Sequence, residues 1–332
     1  MEGFSDTIIF FQAPNDLRYI LDFYEKNKQS SKISILVIGS DNNFKFLKTL
    51  NLNANIIQLP SFEIKSIHLS IFQIVNCKKI LKQFNKLKLK IYYFSNNHDL
   101  TTAFCLKKLS SDKNLIIKID LYKYSLQKYN SNILEKLSLI LINKSLGINL
   151  KFYNSTGLRL YVFELSPDHI IEPFDINVSS KYKVNVNVKN EKSILLLESN
   201  GITQQYFKNY TIHLTKIIEL LLKNKYQIFV KPHPRLGYQD ILNNYKNIII
   251  LDSFIPSEFF ELGNFDFIFG IESTAIANFS IDNSNAYSLL KLFKYSNLEY
   301  KKELEIFLND ISKNKLQYLE TEKQFNDVIK NI

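Results

Sequence analysis

A histidine held between two prolines, with a lysine before them and an arginine after, can handle an anion. Lys231-Pro232-His233-Pro234-Arg235 follows the β-branched and aromatic run from Tyr226 to Val230 and precedes a Gly-containing loop, Leu236-Gly237-Tyr238. The pattern predicts a buried strand ending in a stiff turn. Each proline fixes its own φ and restricts the residue before it, so the backbone of His233 has little freedom. In an open α/β sheet, ligands bind beyond the carboxyl ends of the strands. An anionic ligand that needs a proton donor fits such a turn. A rigid turn whose basic residues face water has the same sequence.

Two further stretches downstream carry the same kind of chemistry. Gly270-Ile-Glu-Ser273-Thr274-Ala-Ile-Ala277 follows a strand pattern and opens a helical one. Ser273 and Thr274 are placed as N-cap and first-turn residues, where free backbone N–H groups, the helix dipole and two hydroxyls can seat a phosphate. An ordinary capped helix reads the same way. Between this stretch and the histidine lies Ile255-Pro256-Ser257-Glu258. Proline before a helix start is commonly structural, and a carboxylate in a βα loop is also the usual partner of ribose hydroxyls.

His233-Pro234, the Pro-x-Glu ending at Glu258 and Ser273-Thr274, in this order, resemble the motif set of bacterial sialyltransferases. They look like the lipooligosaccharide sialyltransferase and polysialyltransferase groups, GT-B enzymes that use CMP-sialic acid. The likeness is confined mainly to about residues 193–280. It implies that His233 meets the CMP phosphate and donates a proton to it, and that Glu258, after Pro256, holds the ribose. Ser273 and Thr274 would hold the phosphate, with Lys231, Pro234, Arg235 and Gly201 completing the donor site. The family's general base comes from an acidic Asp/Glu-Asp-Gly motif at a strand end in the N-terminal domain. Here Ile119-Asp120-Leu121 keeps Asp120 and lacks both the neighbouring acid and the glycine. Asp120 is therefore the expected base, with Glu198 and Asp99 in reserve.

The chemistry agrees with these parts. Loss of CMP from a tertiary anomeric carbon builds oxocarbenium character, so stabilising the leaving phosphate matters most. A base then takes the proton of the acceptor hydroxyl, giving displacement with inversion. There is no Asp-x-Asp in the chain. No metal and no cofactor are expected, and His233, Lys231 and the helix end stand in for a metal. Of the other histidines, His68 and His213 sit in helical patterns as packing residues, and His98 opens a helix beside Asp99. His169 lies in a connecting stretch.

These residues need a scaffold, and the chain supplies strand and helix patterns in alternation. Strand patterns run over Thr7–Phe11, Ile33–Ile38, Asn55–Leu59, Lys90–Phe94 and Leu115–Ile119, the last with Asp120 at its end. Helical spacing covers Asp16–Lys26, Ser66–Leu81 and Asp99–Leu109. The pattern breaks from Glu164 to Asn190, around Pro167 and Pro173. It resumes with Ser193–Leu197, a helix over Gln204–Lys223, then Tyr226–Val230, Asn247–Leu251 and Phe265–Phe269. From Leu298 the chain reads as helical and charged. Such alternation implies parallel sheets with both faces covered. The expected architecture is α/β, with two Rossmann-like domains facing across a cleft, the GT-B glycosyltransferase arrangement. The boundaries are 1–165 for an acceptor-side domain, 166–190 for a connector, 191–300 for a nucleotide-sugar-binding domain and 301–332 for a helical tail.

Composition sets the class. In 332 residues, 45% are hydrophobic and 22% charged, as in a globular protein with sizeable cores. Cys77 and Cys105 are too few for a zinc site or a disulfide framework. The N-terminal Met-Glu-Gly-Phe-Ser-Asp lacks the basic start of a signal peptide, and no apolar run reaches the roughly 18 residues of a membrane span. A cytoplasmic location is expected, at the inner face of the membrane if charge holds it there. Net charge is +10, with 42 Lys and Arg against 32 Asp and Glu, which favours anionic partners.

The expected partners are a CMP-sialic acid-like donor, a glycan acceptor on lipooligosaccharide or capsule, and an anionic membrane surface; a homodimer is compatible with the chain. Nucleic acid is not expected, because the lysines are scattered and no aromatic-basic recognition motif is present. Two rivals remain open: a related transferase using CMP-Kdo, CDP-glycerol or a UDP-sugar, and a non-catalytic glycan- or nucleotide-binding homologue.

Overall fold

The computed structural model describes residues 6–11, 16–29, 31–61, 71–85, 87–94, 100–120, 127–128, 133–155, 158–163, 170–173, 182–188, 192–198, 206–234 and 237–330. The chain forms two compact units, Met1–Ser180 and Lys181–Ile332. Each is a Rossmann-like α/β unit built on a six-stranded parallel sheet.

In the first unit β1 (Asp6–Phe11), β2 (Lys32–Ile38), β3 (Asn55–Leu59), β4 (Leu89–Phe94) and β5 (Leu115–Asp120) alternate with helices. The helices are α1 (Leu17–Asn27), α2 (Asp41–Thr49), α3 (Ile71–Leu81) and α4 (Leu100–Leu109). Strands such as Lys-Ile-Ser-Ile-Leu-Val-Ile in β2 are apolar on both faces, and every residue after Lys32 is buried. That is what a parallel sheet covered by helices on both sides requires. The residue that follows β2, Gly39, has φ +61, and a Cβ there would lie 2.6 Å from the Cβ of Ser61. Only glycine fits that approach.

After β5 come α5 (Ile133–Leu146) and a small antiparallel sheet of β6 (Gln127–Lys128), β7 (Leu150–Ser155) and β8 (Leu158–Phe163). Then β9 (Ile170–Pro173) returns to pair with β5 in parallel. The sheet order is β3-β2-β1-β4-β5-β9. Leu115–Asp120 therefore does not close the series, and part of the stretch expected as a connector is sheet. Its four residues are too short for a period of two to be recognised.

The second unit repeats the plan with β10 (Ser193–Leu197), β12 (Gln227–Lys231), β13 (Ile248–Ile250), β14 (Phe267–Gly270), β15 (Ala286–Ser288) and β17 (Gln317–Tyr318). Their order is β13-β12-β10-β14-β15-β17. Numbered within each unit, both sheets run 3-2-1-4-5-6, the Rossmann order. A separate ribbon pairs β11 (Phe207–Lys208) with β16 (Lys294–Tyr295). The helices are α6 (Tyr210–Lys223), α7 (Thr274–Phe279), α8 (Leu298–Ile311) and α9 (Glu322–Lys330).

Two expectations need correction here. The helix expected from Gln204 starts only at Tyr210, because Asn209 takes a left-handed φ of 58 and Phe207–Lys208 forms a strand before it. The stretch from 301 on is no tail: it adds β17 to the sheet and buries Leu308, Leu316, Leu319, Phe325 and Ile329 in the core of the unit. Tyr226 O–H donates to the Ile329 carbonyl at 2.9 Å, and the Phe269 and Phe325 rings lie 5.3 Å apart. Among the described residues no helix is long and apolar enough to cross a membrane.

Candidate active site

In a sheet ordered this way, the crevice lies where the strand order reverses, beyond the carboxyl ends of the first and fourth strands. In the second unit these are β10 and β14. The loops leaving β13, β12, β10 and β14, four adjacent parallel strands, carry in turn Glu258, His233, Glu198 and Ser273-Thr274. Motifs far apart in sequence thus emerge from one edge of one sheet.

The His233 turn is closed by two backbone hydrogen bonds. His233 N–H donates to the Gly237 carbonyl, and Gly237 N–H to the His233 carbonyl, both at 2.9 Å. Gly237 sits at φ +72, in the left-handed region that a tight reversal needs and glycine tolerates. Pro232 is buried and His233 half-buried.

Lys231 differs from expectation. It is only 4% exposed, and its ammonium donates to the Pro232 carbonyl at 2.6 Å and the Ser253 carbonyl at 3.2 Å. Burial pushes its pKa down to about 8, against the upward pull of Glu258 and Asp252. The apolar β12 draws the lysine inward, so it clamps the loops after β12 and β13 from below.

Glu198 anchors the other end of the same turn. One carboxylate oxygen accepts from Tyr210 O–H at 2.7 Å, and the other from the Gln239 N–H at 3.2 Å. Gln239 lies just past the Gly237 that closes the His233 loop. Burial raises the Glu198 pKa to about 7, although these two hydrogen bonds hold it down. Glu198 therefore titrates near neutrality. It belongs to this unit and ties α6 to the His233 turn.

Ser273 is the N-cap of α7, accepting from the Ala275 N–H at 3.2 Å, and its carbonyl accepts from Ile276 N–H at 3.2 Å. Two first-turn donors are thus engaged by Ser273 itself, and the helix has only six residues. What the loop offers an anion is chiefly the half-buried hydroxyls of Ser273 and Thr274. Gly270 lets this loop pack close, since a Cβ there would meet the Ile276 Cβ at 3.0 Å. Pro256 caps a short 3-10 turn containing Glu258, whose side chain is half-buried. The Glu258 carbonyl accepts from Lys183 at 2.9 Å.

Asp120 ends β5 in the first unit. Arg235, Gly201, Asp99, His98, His68 and His169 lie outside the described residues. His213, on α6, packs its ring 5.8 Å from that of Phe293, and burial lowers its pKa.

Glu272, within the Gly270–Ala277 stretch, is a functional candidate that the motifs alone do not single out. Tyr295 O–H donates to it at 3.1 Å. Its charge also helps to raise the pKa of Tyr210 and of Tyr300, the latter to about 12, in both cases behind burial. Its signal was present: a carboxylate in the loop at the point where the strand order reverses.

No protein-family model matches the chain, and no curated protein matches it either. Solved structures with a similar course of chain include a glycotransferase of kitacinnamycin, with 7% identity over 99% of this chain and 90% of that one and a TM-score of 0.49. The UDP-GlcNAc 2-epimerase of Neisseria meningitidis shows 13% identity over 98% and 97%, at a TM-score of 0.42. A glycosyl transferase of family 9 from Veillonella parvula shows 12% identity over 100% and 99%, also at 0.42. At these values the likeness assigns no substrate and no residue role.

Proposed function

We propose that the chain is a metal-independent, inverting GT-B glycosyltransferase that moves sialic acid or a related nonulosonic acid from a CMP-sugar to a bacterial surface glycan. The observation that carries this reading is the convergence of Glu258, His233 and Ser273-Thr274 on the carboxyl edge of four adjacent strands in a Rossmann-like unit. In it, His233 donates to the phosphate oxygen as the bond to the anomeric carbon breaks. The hydroxyls of Ser273 and Thr274 share the phosphate, and Glu258 takes the ribose. Lys231 and Glu198 position the His233 turn through Pro232 and Gln239. Asp120, at the carboxyl end of β5, is the proposed base for the acceptor hydroxyl.

The test is a release assay over CMP-, UDP- and GDP-sugars. CMP release from CMP-sialic acid, stimulated by a glycan acceptor, is expected. Release of UDP from UDP-sugars alone would move the chain to a different donor class, since a histidine and two hydroxyls suit any nucleotide phosphate.

Two outcomes check the handling of the phosphate. Transfer is expected to survive EDTA, because the chain lacks the Asp-x-Asp that usually brings a metal to a sugar nucleotide. Loss of transfer on chelation, with recovery in magnesium or manganese, would assign that role to a metal. The Ser273→Ala/Thr274→Ala variant is expected to bind CMP about tenfold more weakly while cytidine binding stays within about twofold, one hydrogen bond to a charged group being worth roughly 1.5–3 kcal/mol. Equal losses for both ligands, measured by calorimetry, would mean that the pair only caps α7.

A further inference from the structure

Five large apolar side chains of α5 stand in solvent: Ile133 is 76% exposed, Leu134 75%, Leu137 53%, Ile140 60% and Leu141 66%. Their spacing of i, i+1, i+4, i+7 and i+8 puts them on one face of the helix. The opposite face is also apolar. Ile142 is buried in the core of the first unit, and Leu139 and Leu146 pack against the same cluster. The helix is thus partnered on one side and bare on the other. The other exposed large apolar residues come at most two to an element: Phe72 and Val75 on α3, Leu298 and Ile306 on α8, and Ile212 and Ile249 singly. A contiguous exposed stripe of several hundred Å² marks an interaction site more often than chance exposure.

The charges around the stripe point to its occupant. Lys144 lies two turns beyond Leu137 on the same face, Lys136 flanks it, and both are exposed. The stem of Lys107 runs 3.9 Å from where a Cβ on Gly147 would stand, at the carboxyl end of α5. Glu135 is the one acid on the helix. We propose that α5 docks the protein on an anionic lipid surface, with its apolar stripe in the boundary between headgroups and acyl chains and its lysines on the lipid phosphates.

Fourteen residues make a helix about 21 Å long, too short to span a bilayer but suited to lying in its plane. Lysine stems cover apolar surface while their ends stay among the headgroups. A second copy of the chain suits the face less well. A two-fold axis crossing α5 at Ile140 would set Lys136 of each copy beside Lys144 of the other, with only Glu135 to offset them. A negative bilayer neutralises both lysines at once. The inference depends on neither the donor nor His233.

The experiment is flotation of the full chain with vesicles of phosphatidylcholine, with or without about 30 mol % phosphatidylglycerol. The protein is expected to float with the mixed vesicles and to bind pure phosphatidylcholine at least about tenfold more weakly. Lys136→Glu/Lys144→Glu should erase that preference. Leu137→Asp/Ile140→Asp should abolish flotation while leaving the melting temperature unchanged, because both side chains already face water. The chain has no tryptophan, so a Leu137→Trp variant supplies a single fluorescent reporter that does not disturb the fold. Its emission should shift to the blue on mixed vesicles. No shift, or flotation that the aspartates do not affect, overturns the proposal. So does a dimer in lipid-free buffer that the aspartates dissolve, which would make the stripe an interface between copies.

Discussion

Replacing His233 by alanine is expected to lower CMP-sugar turnover by ~10²-fold or more, the usual scale for a residue that transfers a proton in the transition state. The turn itself should survive, because it is closed by the backbone bonds between His233 and Gly237 rather than by the ring. The variant should therefore melt with wild type and bind CMP with only modest loss. Near-normal turnover at neutral pH would remove the proton-donor role. Asp120→Asn provides the contrast. It should also depress transfer, but leave CMP affinity within about 1 kcal/mol of wild type, a factor of roughly five, since a base serves the acceptor. If Asp120→Asn transfers normally and Asp99→Asn does not, the base belongs to Asp99.

Glu198→Gln is expected to flatten the dependence of stability on pH. Burial raises Glu198 from 4.5 to about 7. Between these values the folded protein keeps a proton that the unfolded chain has released, so stability is full below about pH 4.5 and falls as pH rises through 7. A shift of this size corresponds to about 3 kcal/mol. Lys231 acts in the opposite window. Its pKa falls from 10.5 to about 8, so stability rises as pH climbs between those values. Both buried groups thus carry unfavourable charge near pH 7 to 8. Denaturant titrations at pH 5 and pH 8 isolate Glu198. Wild type should lose about 3 kcal/mol more than the glutamine variant across that interval. The glutamine amide facing the Gln239 N–H adds a cost of about 1 kcal/mol at every pH, which leaves the slope as the readout. Equal slopes would show that Glu198 is ionised throughout.

What sequence could reveal here follows from how local each feature is. Central strands such as Ser193–Leu197 and Gln227–Lys231 announce themselves, since a strand buried on both faces must be a continuous apolar run. A loop that follows such a strand is placed at the carboxyl edge by chain continuity alone, and this is why the His233 and Ser273 stretches were legible. The strands Ala286–Ser288 and Gln317–Tyr318 are shorter than any period, and they become strands only because β14 offers an edge to the first and the first offers one to the second. Features that need two distant segments were hidden. Nothing in the sequence says that Lys231 would turn inward to the Ser253 carbonyl, or that Tyr210 would meet Glu198. The start of α6 is hidden in the same way, because Phe207 is pulled into a ribbon by Lys294–Tyr295, a partner far along the chain.

The closing role of the last residues sets an order on synthesis. The first unit has all six strands of its sheet once Pro173 has left the ribosome, so it can form while the rest is still being translated. The second unit cannot. Phe269 in its central region waits for Phe325, and Tyr226 waits for the carbonyl of Ile329, so its core stays open until α9 emerges. At typical translation speeds of about 5–20 residues per second, that leaves an apolar sheet face uncovered for several seconds or more in every nascent chain. A chaperone engaged on ribosomes should therefore crosslink to β10, β12 and β14 far more than to the strands of the first unit.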